Sequence, residues 1–340
     1  LFQANAPKGG PMKRFKVVVT DYNYADLEIE ASTLAEWGAT VEGFHCSSPE
    51  EVIQVAREAD ALISQYAPVT AQVIASLTKC KAIGRYGIGV DNIDVPAATE
   101  KGIAVINVPS YCEEEVSDHA LAMLLAWVRK VPHYAVEVRY GVWDWKTGRP
   151  IYRLRGKVLG LLGFGKIARH LAAKARALGL VVLAHDPYLP EEAFSGSGVK
   201  RVGFEELLAQ SDFLSIHVPL TSETHHLINA DALALMKPTA CLINTSRGAV
   251  VDEQALVEAL KRGQLAGACL DVMEKEPPDP ENELLKMPQV LISPHVAWYS
   301  EESEGELRRK VANDIGRALN GLLPEGLVNR ELASRFKKGG

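Results

Sequence analysis

Residues 158–171 (VLGLLGFGKIARHL) restrict the fold more than any other stretch. They begin as a short apolar strand, turn through Gly163-Phe164-Gly165, and continue as a helix with Ile167 and Leu171 one turn apart. Strand, glycine turn and helix in that order make a dinucleotide-binding βαβ unit. Each small residue has a mechanical task. Gly163 allows the tight turn, Gly165 lets a pyrophosphate approach the backbone, and Ala168 keeps the helix close to its strand. The helix N-terminus then offers N–H groups and a positive dipole end to the phosphates. A second apolar run, 180–184, ends at His185-Asp186, and Asp186 lies 23 residues after Gly163. A carboxylate there accepts hydrogen bonds from ribose hydroxyls and repels a 2′-phosphate, which favours NAD over NADP.

The rest of the chain repeats this alternation. In the first half, strands are expected at 15–20, 40–44, 61–64, 81–84 and 103–107, with helices at 25–37, 49–59, 70–77 and 95–101. In the second, strands are expected at 158–162, 180–184, 212–216, 239–244, 265–270 and 290–292, with helices at 204–210, 229–236, 252–262 and 301–320. The strands are continuous apolar runs, as burial on both faces requires, so the fold class is α/β with parallel sheets. A long helix over 110–129 carries Val116, Ala120, Leu121, Leu124 and Val128 on one face, and a loop with Trp143 and Trp145 follows it. Such apolar surface fits either a subunit interface or internal packing.

At 340 residues the chain suggests two domains. Its net charge of −6 gives no electrostatic reason to expect nucleic acid or an anionic membrane as partner. The longest apolar run, 120–128, is too short to span a bilayer. Residues 1–11 read as a leader ahead of Met12, outside the fold. Five scattered cysteines without a CxxC read as reduced thiols of a cytoplasmic protein. No metal site is expected: His225 and His226 are adjacent and should point apart, and no cysteine or acidic residue sits at ligand spacing.

In open α/β sheets, ligands bind beyond the carboxyl ends of the strands. Arg247, Glu276 and His295 fall just past such ends, with Asp271 at the same level. Their chemistry suits hydride transfer to a carbonyl. Arg247 offers a planar fork for a 2-oxo acid's carboxylate and carbonyl. His295 suits a general acid in reduction and base in oxidation. Glu276 suits a partner that holds the His295 tautomer and favours its protonated form. Taken singly, each has an ordinary alternative: a surface arginine, a capping glutamate, a satisfied histidine.

These residues lie in NTSRG (244–248), LDVMEKEP (270–277) and SPHVAW (293–298). With GIGVDNID (87–94), Asn107–Pro109, 115–121 and SIHVPLT (215–221), they make the chain, from about 15 to 330, resemble the D-isomer-specific 2-hydroxyacid dehydrogenase family. The resemblance implies two Rossmann-like or flavodoxin-like domains with a cleft between them. Residues 13–107 plus 298–332 would form a discontinuous substrate domain, and 108–297 the NAD-binding domain. It implies Arg247, Glu276 and His295 as the catalytic set of a 2-oxoacid reductase. Backbone N–H groups around Tyr86, Gly87 and Ile88 would hold the substrate carboxylate. Ile88, Gly163, Phe164, Gly165, Lys166, Ile167, Asp186, Val218, Pro219, Thr245 and Asp271 would contact NAD. It further implies a homodimer through the long helix and the tryptophan loop.

Phosphoglycerate-acting members of this family tend to carry arginines in the loop after the third strand. Here that loop reads SQYAP (64–68), which argues against a phosphorylated substrate. Tyr66, Tyr86 and Trp298 are candidate pocket aromatics for a 2-oxo acid with a modest apolar side chain, packing being the other use of such rings. The stretch HVAWYS (295–300) is similar to the C-terminal-binding-protein corepressors, the transcriptional branch of this family. That competing class is an NAD(H)-sensing interaction module, and the lack of long disordered tails argues against it.

Overall fold

A computed structural model describes residues 15–337; the leader expected over 1–11 lies outside them. They form two compact units, the first running up to Tyr111 and resuming at Ser300, the second Cys112–Tyr299.

The first unit has strands β1 (Phe15–Val19), β2 (Ala39–Gly43), β3 (Ala61–Ser64), β4 (Ala82–Arg85) and β5 (Ala104–Ile106). They are all parallel, in the order β2-β1-β3-β4-β5. This is the flavodoxin-like order. Helices α1 (Glu28–Glu36), α2 (Pro49–Ala56), α3 (Ala71–Ser76) and α4 (Val95–Glu100) connect them, and Glu301–Leu319 forms the C-terminal helix. Local sequence explains where helices start. Ser48 and Glu51 make a capping box with Pro49 behind it, and the Asp94 side chain caps α4. Gly84 on β4 admits the C-terminal helix: a Cβ there would sit 2.7 Å from Val311.

The second unit opens with α5 (Glu113–Arg129) and α6 (Val131–Arg139). Then come β6 (Val158–Leu162), α7 (Lys166–Ala177), β7 (Val181–His185), β8 (Lys200–Arg201), α8 (Phe204–Gln210) and β9 (Phe213–Ile216). It closes with α9 (Ala230–Leu235), β10 (Cys241–Asn244), α10 (Glu253–Lys261), β11 (Gly267–Leu270) and β12 (Val290–Ile292); the C-terminal helix is thus α11. Its seven parallel strands run β12-β11-β10-β9-β6-β7-β8. The order reverses at β6, so the switch-point crevice of a doubly wound sheet opens beyond the carboxyl ends of β6 and β9.

Two readings of the sequence need correction. The long helix begins at Glu113, not at 110, and α6 follows where only a loop was expected. Lys130 joins the two helices in a left-handed conformation (φ 55°), and Pro132 lies in the first turn of α6, where a missing N–H costs nothing. The question of α5 is also answered. Ala120, Met123, Leu124 and Val128 are buried in the core of the second unit, with Leu121 and Leu125 packed partly against it. The exposed apolar surface lies instead on Val131, Val136, Val138, Tyr140 and Trp143, the last 89% exposed.

All five cysteines are free, and the Cys241 and Cys269 sulfurs lie 3.9 Å apart in the core. Among the described residues, no helix is long and apolar enough to cross a membrane.

Candidate active site and NAD-binding centre

The glycine turn has the geometry its sequence requires. Gly163 has φ +91°, and a Cβ there would meet the His217 carbonyl oxygen at 2.9 Å. Gly165 faces open space and precedes α7, whose N-terminus has no side-chain cap. Backbone N–H groups there are disposed to take an anion. Asp186, just past β7, is fixed by two N–H donors: Phe164 N at 2.9 Å and Tyr188 N at 3.1 Å. Its carboxylate therefore sits beside the turn, where a ribose would lie.

Beyond β9, His217 bonds through Nε2 to Ser215 Oγ at 2.8 Å, and burial lowers its pKa to about 4. It is thus a neutral group at physiological pH, next to half-buried Val218 and exposed Pro219. Beyond β10, Thr245 Oγ1 is buried with no hydrogen-bond partner. A buried hydroxyl without a partner costs roughly 1–3 kcal/mol, which a bound polar group would relieve. Open glycine, uncapped helix, fixed carboxylate and orphaned hydroxyl together fit a dinucleotide.

Phe164 does not join that set through its side chain. The ring is fully buried and stacked on Phe194 at 4.7 Å, so only the backbone of Phe164 is left to face a cofactor at the turn. Lys166 is exposed and pairs with Glu113 at 3.5 Å, and Ile167 is half-buried.

The chemical residues converge at the carboxyl ends of β10, β11 and β12. His295 Nδ1 and Glu276 Oε2 are 2.6 Å apart. Glu276 Oε1 accepts from Met273 N at 3.0 Å. Burial alone would raise the Glu276 pKa, but the His295 ring, the Met273 N–H and the Arg247 guanidinium outweigh it and hold the carboxyl below its usual range. Arg247 sits on a turn tied by Asn244, whose side chain donates to Arg247 O and accepts from Ser246 N. Gly248 then lets this turn touch the next segment, because a Cβ there would lie 2.0 Å from the Met273 carbonyl.

Asp271 has a role that the sequence did not disclose. It is buried, and its carboxylate accepts from Val296 N at 3.0 Å, Ala297 N at 2.9 Å and Ser293 Oγ. Its carbonyl accepts from His295 N at 2.8 Å. His295 has φ +53°, unusual for a non-glycine residue and held only by surrounding bonds. Asp271 supplies those bonds. His119 on α5 adds to the network through Nε2 to Ser293 Oγ, 2.9 Å. Trp298 Nε1 donates to the His295 carbonyl at 3.1 Å.

In the first unit the expected carboxylate-holding segment is partly committed. Tyr86 N donates to Ser64 O at 2.9 Å, and Gly87 N to Arg85 O at 2.9 Å. Of the three, the Ile88 N–H remains without an acceptor among the described residues. The Tyr86 side chain is corrected too: it is 2% exposed and its hydroxyl donates to Glu30, so it lines no pocket. Tyr66 is 47% exposed, its N–H held by Asp21 at 2.6 Å.

The expectation that His225 and His226 point apart also fails. Their rings stack at 4.0 Å because His226 takes a positive φ of 51°. His226 joins Asp252 and Glu274, whose ligand-type atoms lie within 4.8 Å of one another. Both carboxylates serve α10: Asp252 accepts from Ala255 N and Glu274 from Glu253 N.

A seven-stranded parallel sheet of this order, with such a turn and carboxylate at its switch point, defines a dinucleotide-binding domain. The family model described as "D-isomer specific 2-hydroxyacid dehydrogenase, NAD binding domain" matches residues 121–297. The chain belongs to the D-isomer-specific 2-hydroxyacid dehydrogenase family, and its cofactor is NAD. It is 39% identical over 326 residues to a D-3-phosphoglycerate dehydrogenase of Methanocaldococcus jannaschii, covering 95% of this chain but 61% of that one. It is 40% identical over 289 residues to a glyoxylate reductase of Korarchaeum cryptofilum, covering 84% of this chain and 87% of that one. Among solved structures, a glyoxylate reductase from Paecilomyes thermophila superposes with a TM-score of 0.84 at 31% identity, covering 94% of this chain and all of that one.

Proposed function

We propose that this chain reduces small, unphosphorylated 2-oxo acids with NADH, and oxidises the matching D-2-hydroxy acids. The observation that carries this reading is the 2.6 Å Glu276–His295 contact, with the Arg247 turn seated against the same segment through Gly248. Bound NADH supplies a hydride to the substrate's C2. Glu276 holds the Nδ1 side of the His295 ring, which makes Nε2 the proton donor to the developing alkoxide. Arg247 takes the 2-oxo acid's carboxylate and carbonyl oxygens with its planar fork. Asp186 accepts from the ribose hydroxyls of NAD.

The loop over 64–68 contains no arginine, and its backbone is clasped by Asp21, which accepts from both Gln65 N and Tyr66 N. A carboxylate there is a poor neighbour for a phosphate. The exposed surface around α6, Trp143 and Trp145 supports a second copy of the chain as its partner.

NADH oxidation measured against glyoxylate, hydroxypyruvate, pyruvate, phenylpyruvate and 4-methylthio-2-oxobutyrate tests the reading; turnover on none of them overturns it. Arg247→Lys is expected to lower kcat/KM about a hundredfold, because an ammonium cannot reproduce the two parallel bonds. Near-normal turnover would remove Arg247 from the set. Asp186→Ala is expected to raise the NADPH-to-NADH ratio of kcat/KM about tenfold, a change of about 1.4 kcal/mol. An unchanged ratio would deny Asp186 its part in selecting the cofactor.

A further inference from the structure

Two loops of the second unit meet at the mouth of its switch-point crevice. β7 and β9 lie on either side of β6 in the sheet. Tyr188 follows β7, which ends at His185, and Glu223 follows β9, which ends at Ile216. The Tyr188 hydroxyl donates to Glu223 Oε2, so this bond joins the two sides of the crevice that opens beyond β6. Stability does not account for it. Tyr188 is 78% exposed and Glu223 is exposed too, and polar pairs on the surface contribute little to folding.

Both ends of the bond are nevertheless held. One Asp186 carboxylate oxygen accepts from Tyr188 N and the other from Phe164 N in the glycine turn. The turn that carries Glu223 is knit by two threonines. Thr224 Oγ1 accepts from Thr221 N at 2.8 Å and donates to Pro219 O at 2.6 Å, and Thr221 Oγ1 accepts from Glu223 N at 3.2 Å. A ribose seated on Asp186 therefore has the glycine turn on one side and Tyr188, bonded to Glu223, on the other.

The charges around that seat are unbalanced. The hydrogen bond to Glu223 pushes the Tyr188 hydroxyl's pKa up, and Asp186 adds to this through its charge alone, so both carboxylates act on one oxygen. The cation that borders Asp186 is Arg201 on β8, and it is engaged. Its Nη1 lies 3.3 Å from Glu191 Oε2 and its Nη2 donates to the Asp186 carbonyl at 3.4 Å.

We propose that Glu223 is a second residue that selects NAD against NADP: held at the crevice by Tyr188, its carboxylate adds to that of Asp186 in repelling a 2′-phosphate on the adenosine ribose. The inference rests on the proposed function for the seat of that ribose at Asp186. A phosphate monoester carries close to two negative charges at neutral pH, so one further carboxylate is felt even through water.

Glu223→Gln removes the charge and keeps an oxygen for the Tyr188 hydroxyl. Kd values for NADH and NADPH are read by fluorescence titration of the protein without substrate, at about 0.05 M and about 0.5 M salt. The expected result at the lower salt is an NADPH Kd lowered about fivefold, with the NADH Kd within about twofold of wild type. The difference should shrink at the higher salt, as screened repulsion between exposed charges requires. Tyr188→Phe leaves both carboxylates but frees Glu223, and should shift the ratio of the two Kd values the same way by about twofold. An NADPH Kd unmoved in Glu223→Gln would overturn the proposal. So would parallel changes in both Kd values, which would make the pair a loop clasp with no part in selection. An unchanged ratio in Tyr188→Phe would overturn the holding role of Tyr188. The seat at Asp186 is tested apart from this: a ratio that Glu223→Gln shifts but Asp186→Ala does not would remove the seat and leave the repulsion by Glu223 in place. No turnover enters these titrations, so a protein inactive on every 2-oxo acid would sink the proposed reaction alone.

Discussion

Replacing His295 with alanine is expected to lower kcat for 2-oxo acid reduction by about a thousandfold, the range that a positioned general acid commonly supplies. NADH affinity, read by fluorescence titration, should stay within about twofold. The separation of the two effects follows from where the residues sit. The turn, Asp186 and Thr245 lie beyond β6, β7 and β10, whereas His295 lies on the loop after β12. The backbone of that loop is held by Asp271 through Val296 N, Ala297 N and His295 N, none of which needs the imidazole. The loop should therefore keep its path when the ring is removed. A variant that loses NADH affinity in step with kcat would show that the ring is structural instead.

The pH dependence has a definite sign. Glu276 has a depressed pKa, so its charged form is preferred in the folded protein. Its contribution is fully present above the ordinary glutamate value near 4.3 and is lost as pH falls through the lower folded value. The Glu276–His295 contact should thus persist through the neutral range. Only as pH falls through that lower folded value should reduction decline, when Glu276 takes up a proton and releases the ring.

How much of this was legible beforehand differs from residue to residue. The glycine turn was readable because each small side chain answers a steric demand: a positive φ at Gly163, open space at Gly165, contact with the strand at Ala168. Arg247, Glu276 and His295 were readable because parallel strands end on one side, so residues just past those ends share an edge. Asp271 was read at the same level, with its NAD contact implied by the family resemblance. Its hydrogen bonds to three backbone N–H groups leave no periodic trace in the sequence. Tyr86 was misread because β4 is buried on both faces, so alternation says nothing about which way the next side chain turns. Phe164 lies within the same turn, and the burial of its ring was not legible from the flanking glycines. α6 escaped because a lysine with a proline two residues on resembles the end of a helix more than the start of another.

Gly248→Ala is expected to cost about a hundredfold in kcat/KM while NADH still binds. The glycine has no positive φ to justify it; its reason is contact. An added methyl would sit 2.0 Å from both the carbonyl carbon and oxygen of Met273 and 2.4 Å from Glu274 N, distances that backbone atoms cannot yield by side-chain rotation. The Arg247 turn and the 273–276 segment must therefore separate. Met273 N is the donor that fixes Glu276 Oε1, so the displacement reaches the carboxylate and, through it, the His295 ring. A shift of about 1 Å in groups that must meet a substrate together can cost two orders of magnitude in rate. Overpacking of this kind also destabilises by about 1–3 kcal/mol, so the melting temperature should fall as well. Gly203→Ala is the matching control, because a Cβ there meets nothing within 4 Å, and it should leave both properties unchanged. Full activity in Gly248→Ala would mean that arginine and glutamate tolerate separation, and that the close seating of their two segments is incidental to the chemistry.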